Sequence, residues 1–390
     1  MARPAFDPKE LEPTGELYVG MAAGFDGMPM PPDPVLKRPI PVKQNLRMLL
    51  EGKRPYWIPT GGFFAADLQG FRPRINPDNI ANHQIFDGGP EFSYEEAGII
   101  KTSRYGDHIH SWWFDLDWIT TDVGGAMFLP GAPKIPDITE WEKYVQMPDL
   151  DSPLMDWDSL AEQNAAYLGT DKMNQLGIQC GLWERLMALM DATDACMALY
   201  DEDLKPHTHR FLDAYCNFLI DYIKRIKDRV DIECVCIHED WAHQRGPFFS
   251  AETASEMLVP YVKRITDFLH ANDMFYEIHM CGATEKLIPC YLEAGVDIWS
   301  AIQPLLYDSL ALVKEYKDEP LAFCVMPPRV TNDASDEEMR EAAQKFVEDY
   351  KDCNLMLMYF DMDPEAPMYH FGYQNAIYEF SRKAFQGCED

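Results

Sequence analysis

Glu277, His279 and Cys281 stand at alternate positions of the stretch Phe275–Cys281. Alternate residues of a β-strand point to one face, so these three side chains would project together. Imidazole and thiolate are good zinc ligands, and a carboxylate can join them. A bound zinc would keep the thiol deprotonated at neutral pH. The plainer reading stays open, with Cys281 a small core filler and His279 a hydrogen-bonded residue at a strand end. A further ligand must come from elsewhere. Cys324, near the end of Leu321–Val325, and Asp361, at the end of Leu355–Phe360, are the candidates. His238, Glu239 and Asp240 follow another apolar run and offer acid/base groups or substrate hydrogen bonds. They serve equally well as a cluster that ties loops together. Trp57, Phe63, Trp112, Trp113, Trp241 and Tyr307, with Gln303, would wall a pocket for a small apolar or aromatic ligand. Most tryptophans simply pack.

These residues need elements to hold them. From Pro206 onward, helical and strand-like segments alternate. The long helix is marked by Phe211, Leu212, Tyr215, Phe218, Leu219, Tyr222, Ile223 and Ile226, which recur at the helical period of about 3.6. Strands are expected over 232–237, 275–281, 296–299, 321–325 and 355–360. Helices are expected over 254–269, 285–293, 309–317, 336–351 and 374–385. Earlier come a short helix ending at Gly52, a strand over 56–59, helices after Asp137 and near 156–167, a strand over 178–181 and a helix near 186–190. Such alternation builds a parallel sheet, and the number of units favours a closed (β/α)8 TIM-type barrel over a doubly wound sheet. In such a barrel the chemistry sits at the C-terminal ends of the strands, where the residues above fall. Residues 1–41, with nine prolines, read as an extended N-terminal arm. Residues 42–390 read as one barrel with an elaborated early loop region. The arm is either a loose leader or a wrap around the domain or a twin subunit, which leaves a homodimer open.

The formal charge of −31 over 390 residues argues against nucleic acid and anionic membrane as partners. No run of about 18 apolar residues is present, and Met1–Thr14 lacks the apolar core of a signal peptide. A cytoplasmic protein is therefore expected, with its ten cysteines reduced.

Several blocks resemble the uroporphyrinogen decarboxylase superfamily. They are Gly181-Leu182-Trp183-Glu184-Arg185-Leu186, Glu239-Asp240-Trp241-Ala242-His243-Gln244 with Gly246-Pro247-Phe248-Phe249-Ser250, and His279-Met280-Cys281-Gly282. Leu287-Ile288-Pro289 and Glu293-Ala294-Gly295-Val296-Asp297 follow the last of these, and Arg54-Pro55 with Trp57-Ile58-Pro59 opens the set. The resemblance spans roughly 40–385 and implies a (β/α)8 barrel. The family's decarboxylases carry an arginine-rich motif after the first strand. Here Thr60-Gly61-Gly62-Phe63-Phe64-Ala65 has no arginine. The other branch consists of zinc- and corrinoid-dependent methyltransferases, which hold zinc through H-x-C and a later cysteine. His279 and Cys281 match that motif. The later cysteine of thiol-methylating members is replaced by Phe360-Asp361-Met362. The resemblance therefore implies the demethylating branch. Such an enzyme takes a methyl group from a small methylated donor, such as an aromatic methyl ether, and gives it to the corrinoid (cobalamin) of a small partner protein. A metal-free decarboxylase, or a non-catalytic barrel that binds a tetrapyrrole or corrinoid, is the alternative.

Overall fold

The computed structural model describes residues 3–18, 33–61, 67–71, 108–111, 113–120, 126–131, 133–153, 155, 157–158, 160–300, 302–303, 305–330, 333–358 and 371–388. In chain order, β1 (Pro13–Tyr18) and β2 (Asp33–Leu36) pair antiparallel, and α1 (Val42–Leu50) follows. After β3 (Leu68–Phe71) comes a meander of β4 (His108–Ser111), β5 (Leu116–Thr120) and β6 (Ala126–Phe128). Next are α2 (Leu160–Leu168), β7 (Met173–Ile178), α3 (Leu182–Met190), α4 (Ala192–Tyr200) and the long α5 (Lys205–Lys227). The remainder is β8 (Cys234–His238), a hairpin of β9 (Ala242–His243) and β10 (Gly246–Pro247), α6 (Ala251–Met257), α7 (Val259–Ala271), β11 (Phe275–His279), α8 (Ile288–Ala294), β12 (Ile298–Ser300), α9 (Ser309–Glu315), β13 (Ala322–Val325), α10 (Asp336–Tyr350), β14 (Leu355–Leu357) and α11 (Phe371–Ala384).

Seven of these strands form one sheet in the order β14, β13, β12, β11, β8, β7, β3, and every pairing in it is parallel. Thr60 supplies the eighth position. It bridges Leu357 in parallel, with Gly61 N–H donating to Leu357 O and Leu357 N–H to Pro59 O, both at 2.8 Å. The Asp67 carboxylate, just before β3, accepts from Thr60 N–H at 2.7 Å, so it links that position to the other edge. The result is the expected TIM-type barrel.

Two apolar layers follow from strand alternation. Outward residues such as Leu176, Val235, Ile278, Trp299, Phe323 and Leu357 join the helices in one large core. Inward residues Met173, Cys234, Ile298, Ala322, Cys324, Met356 and Met358 form a separate core with Leu46 and Leu49 of α1, which plugs the N-terminal end of the barrel. On the outside, all eight apolar positions of the long helix are buried. Trp113 packs edge-on against two of them, Phe218 and Tyr222, at 5.1 and 5.3 Å between ring centres.

The described part of the arm lies on its own barrel. Glu10 accepts from Arg382 Nε at 2.8 Å and Nη2 at 2.9 Å, and from Tyr378 Oη at 2.5 Å. Arg3 donates to Pro55 O at 2.7 Å. All ten cysteines are free thiols. No described helix is long and apolar enough to cross a membrane.

Candidate functional site

The register of three neighbouring strands sets the site. His238 of β8, His279 of β11 and Ser300 of β12 are direct partners at the C-terminal end of the sheet. The rings of His238 and His279 stack at 4.4 Å between centres, 30° from parallel. Gln179, just past β7, places its Nε2 at 3.3 Å from His238 Nδ1. Cys281 follows β11 by two residues, and its Sγ lies 3.6 Å from His279 Nε2.

The loop carrying Cys281 is strapped down at every residue from 281 to 284. Asp240 accepts from the backbone N–H of Cys281. Gly282 N–H donates to Gln303 Oε1 at 3.1 Å, and Ala283 N–H to His243 O at 3.0 Å. Thr284 N–H donates to Tyr307 Oη at 2.6 Å, and that hydroxyl donates in turn to Gly282 O. Gly282 is required here. Its φ is +84°, and a Cβ would sit 2.8 Å from Ala242 O and 3.0 Å from His243 C. These are backbone atoms, which cannot swing aside. Gly282→Ala is therefore expected to lower unfolding stability by about 2–3 kcal/mol, from positive-φ strain and overpacking. Urea unfolding checks this, and an unchanged midpoint would refute the strap.

The mouth is acidic. Glu239 is buried, and its carboxylate caps the start of α3 by accepting from Leu182 N–H and, at 3.0 Å, from Trp183 N–H. Burial pushes it up to about 7 against those hydrogen bonds. Glu184, in the first turn of α3, is raised far above the carboxylate range by burial and then by the nearby charges of Asp240 and Glu239. Asp240 is raised by burial. The Cys281 thiol is pushed up to about 12 by burial and by Asp240 and Glu184. Three carboxyls and a thiol thus crowd one end of the barrel. The charges of Asp240 and Glu239 disfavour ionisation of Glu184, and those of Asp240 and Glu184 disfavour ionisation of Cys281.

Residues 167–356 match the family model described as uroporphyrinogen decarboxylase (URO-D). Among solved structures, the chain is similar to a methyltransferase from Methanosarcina mazei. The likeness covers 89% of this chain and 99% of that one, at 14% identity and a TM-score of 0.55. It is also similar to a B12-independent methionine synthase from Shewanella sp. W3-18-1, over 72% of this chain and 74% of that one, at 11% identity and a TM-score of 0.37. The first likeness is one of fold. No curated protein matches the chain.

The barrel brings together some of the residues singled out above and separates others. His238, Asp240, His279 and Cys281 meet at the mouth. Glu277 does not join them as a ligand. It lies one inward position deeper, with Oε2 taken by Gln175 Nε2 at 2.5 Å and Oε1 by Ser300 Oγ. Cys324 sits in the inner apolar plug with Met356, Ile298 and Cys234, and burial pushes its thiol well up. Glu239 is buried as the cap of α3. Trp57 packs on Tyr378 at 5.3 Å in a satellite core with Val42, and Trp113 packs on α5. Trp241 is fully buried against Phe249 and Tyr291. Gln303 and Tyr307 strap the Cys281 loop. Phe63, Trp112 and Asp361 lie outside the described residues. Among the described residues, no group of three or more His, Cys, Asp and Glu side chains is poised to hold a metal.

Sequence reasoning missed Glu184, Gln175, Gln179 and Ser300. Glu184 had a signal. Its place in the first turn of a helix that opens at Gly181, directly after a strand, is a mouth position in any such barrel.

Proposed function

We propose that this barrel moves a methyl group from a small methylated donor to the corrinoid of a partner protein, with zinc held by His279 and Cys281. The 3.6 Å between His279 Nε2 and Cys281 Sγ supports this most. Zinc bonds of about 2.0–2.1 Å to nitrogen and about 2.3 Å to sulfur, at tetrahedral angles, hold two such donors about 3.5–3.6 Å apart. The donor set fits chemically as well. A thiol raised to about 12 among carboxyls is a poor thiolate by itself, and a divalent cation reverses that balance. The remaining ligands would come from solvent, substrate or residues such as Asp361.

When bound, zinc would act as a Lewis acid on the donor's heteroatom and lower the cost of the charge that gathers there as the methyl group leaves. The chain's own groups do the rest. Burial and the neighbouring carboxylates favour the protonated form of Glu184, which lies near Cys281 and would give its proton to the departing oxygen or nitrogen. Asp240 and Tyr307 hold the Cys281 loop still. The formal charge of −31 disfavours polycarboxylate substrates and favours neutral or cationic ones.

The test is a metal assay of the purified protein together with a screen of methylated ethers and amines against methylation of an added corrinoid protein. One zinc per chain and donor-dependent corrinoid methylation are expected. Metal-free protein that converts uroporphyrinogen to coproporphyrinogen would overturn the reading in favour of a lyase.

A further inference from the structure

Gln175, Glu277 and Ser300 lie below the mouth, and the methyl-transfer chemistry gives them no task. All three are buried. They point inward from β7, β11 and β12 and form one continuous chain. Gln175 Nε2 donates to Glu277 Oε2 at 2.5 Å, and Ser300 Oγ donates to Glu277 Oε1. His279 Nδ1 lies 3.2 Å from that same Ser300 Oγ. A serine hydroxyl has one proton to give and can also accept. Ser300 gives its proton to Glu277, so towards His279 it accepts. The imidazole proton then sits on Nδ1, and the Nε2 lone pair faces Cys281.

A buried carboxylate is costly, and an apolar side chain of similar size would pack here at least as stably. Both Glu277 oxygens are nevertheless satisfied by Gln175 of β7 and Ser300 of β12, and the Cys236 thiol of β8 is a further hydrogen-bond partner. Such a chain is what a ligating histidine needs behind it.

We infer that Ser300, held by Glu277 and Gln175, is a positioning residue that locks His279 in the Nδ1–H tautomer and presents Nε2 as a metal ligand. The ligand half of this rests on the zinc site proposed for His279 and Cys281. The tautomer half is a property of the metal-free protein.

Two measurements separate them. The first is the tautomer of His279 in metal-free protein, read by nitrogen-15 NMR at mildly alkaline pH, where imidazole is neutral, and assigned by its loss in H279Q. The second is the zinc dissociation constant from competition with a chromophoric chelator. Wild type is expected to show Nδ1–H. S300A, and independently E277L, should shift the ring towards Nε2–H and weaken zinc binding by about 10–100-fold. S300T should restore most of both. Thermal melts check that each variant folds. An Nε2–H ring in wild type, or a tautomer and affinity unchanged in both S300A and E277L, overturns the inference. An Nδ1–H ring that responds to S300A in a protein that binds no zinc upholds the positioning and overturns the zinc reading.

Discussion

His279→Ala is expected to abolish stoichiometric zinc binding and to slow methyl transfer about a thousandfold or more, because a Lewis acid supplies several kcal/mol at the departing atom. Only two protein donors stand ready among the described residues, His279 Nε2 and Cys281 Sγ at 3.6 Å, so losing one leaves no chelating pair. The fold should survive. His279 is partly exposed at the barrel mouth, outside both apolar layers. A melting temperature near wild type, with zinc and activity gone, is the expected combination. Full metal content and full turnover in H279A would remove the basis for this site. Loss of turnover with zinc retained would point instead to a proton-handling role for the ring.

The order of strands and helices after Pro206 was legible because each element repeats its own apolar period. Where the chain departs from expectation, the cause is local. The helix expected over 254–269 is two, α6 and α7, broken at Leu258 because Pro260 has no N–H and clashes with the turn before it. The strand expected over 178–181 lies at Met173–Ile178. Its polar residues hid it. Gln175 is spent on Glu277, and Asn174 on Asp231 O at 2.8 Å. At the site, alternation correctly put Glu277 and His279 on one face, but it carries no information about depth. At about 3.3 Å per residue, two positions separate a closed layer from an open mouth. The role of Glu239 was beyond reach for another reason. It caps a helix more than fifty residues earlier in the chain, and the close fit of Gly181 against it, where a Cβ would come within 2.2 Å of Glu239 Cδ, exists only in three dimensions. The tryptophans show the converse. Residue type says that they will be buried, but not against what.

Two buried carboxyls, Glu239 and Asp67, set a pH dependence whose sign is opposite to the commonest case. Burial raises Glu239 from 4.5 to about 7 and Asp67 from 3.8 to about 6. Between the ordinary and the raised values the folded protein holds protons that the unfolded chain has released. Unfolding free energy then falls as pH rises. The contribution is complete below about pH 4 and is lost as pH climbs through about 6 and about 7. A tenfold gain in proton affinity on folding is worth about 1.4 kcal/mol, so Glu239 alone accounts for about 3 kcal/mol across the window. Glu379 acts in the other direction. Arg340 hydrogen bonds lower it to about 2, so its share is gained as pH rises and is complete above its ordinary value of 4.5. Metal-free protein is thus expected to be most stable near pH 5 and to lose several kcal/mol by about pH 8, as read by urea unfolding across that range. E239Q carries no ionisable group at the α3 cap and should flatten the falling limb by roughly half. Stability that instead rises from about pH 5 to about pH 8 would mean that Glu239 and Asp67 ionise freely, and that the mouth is open to water at the base of α3.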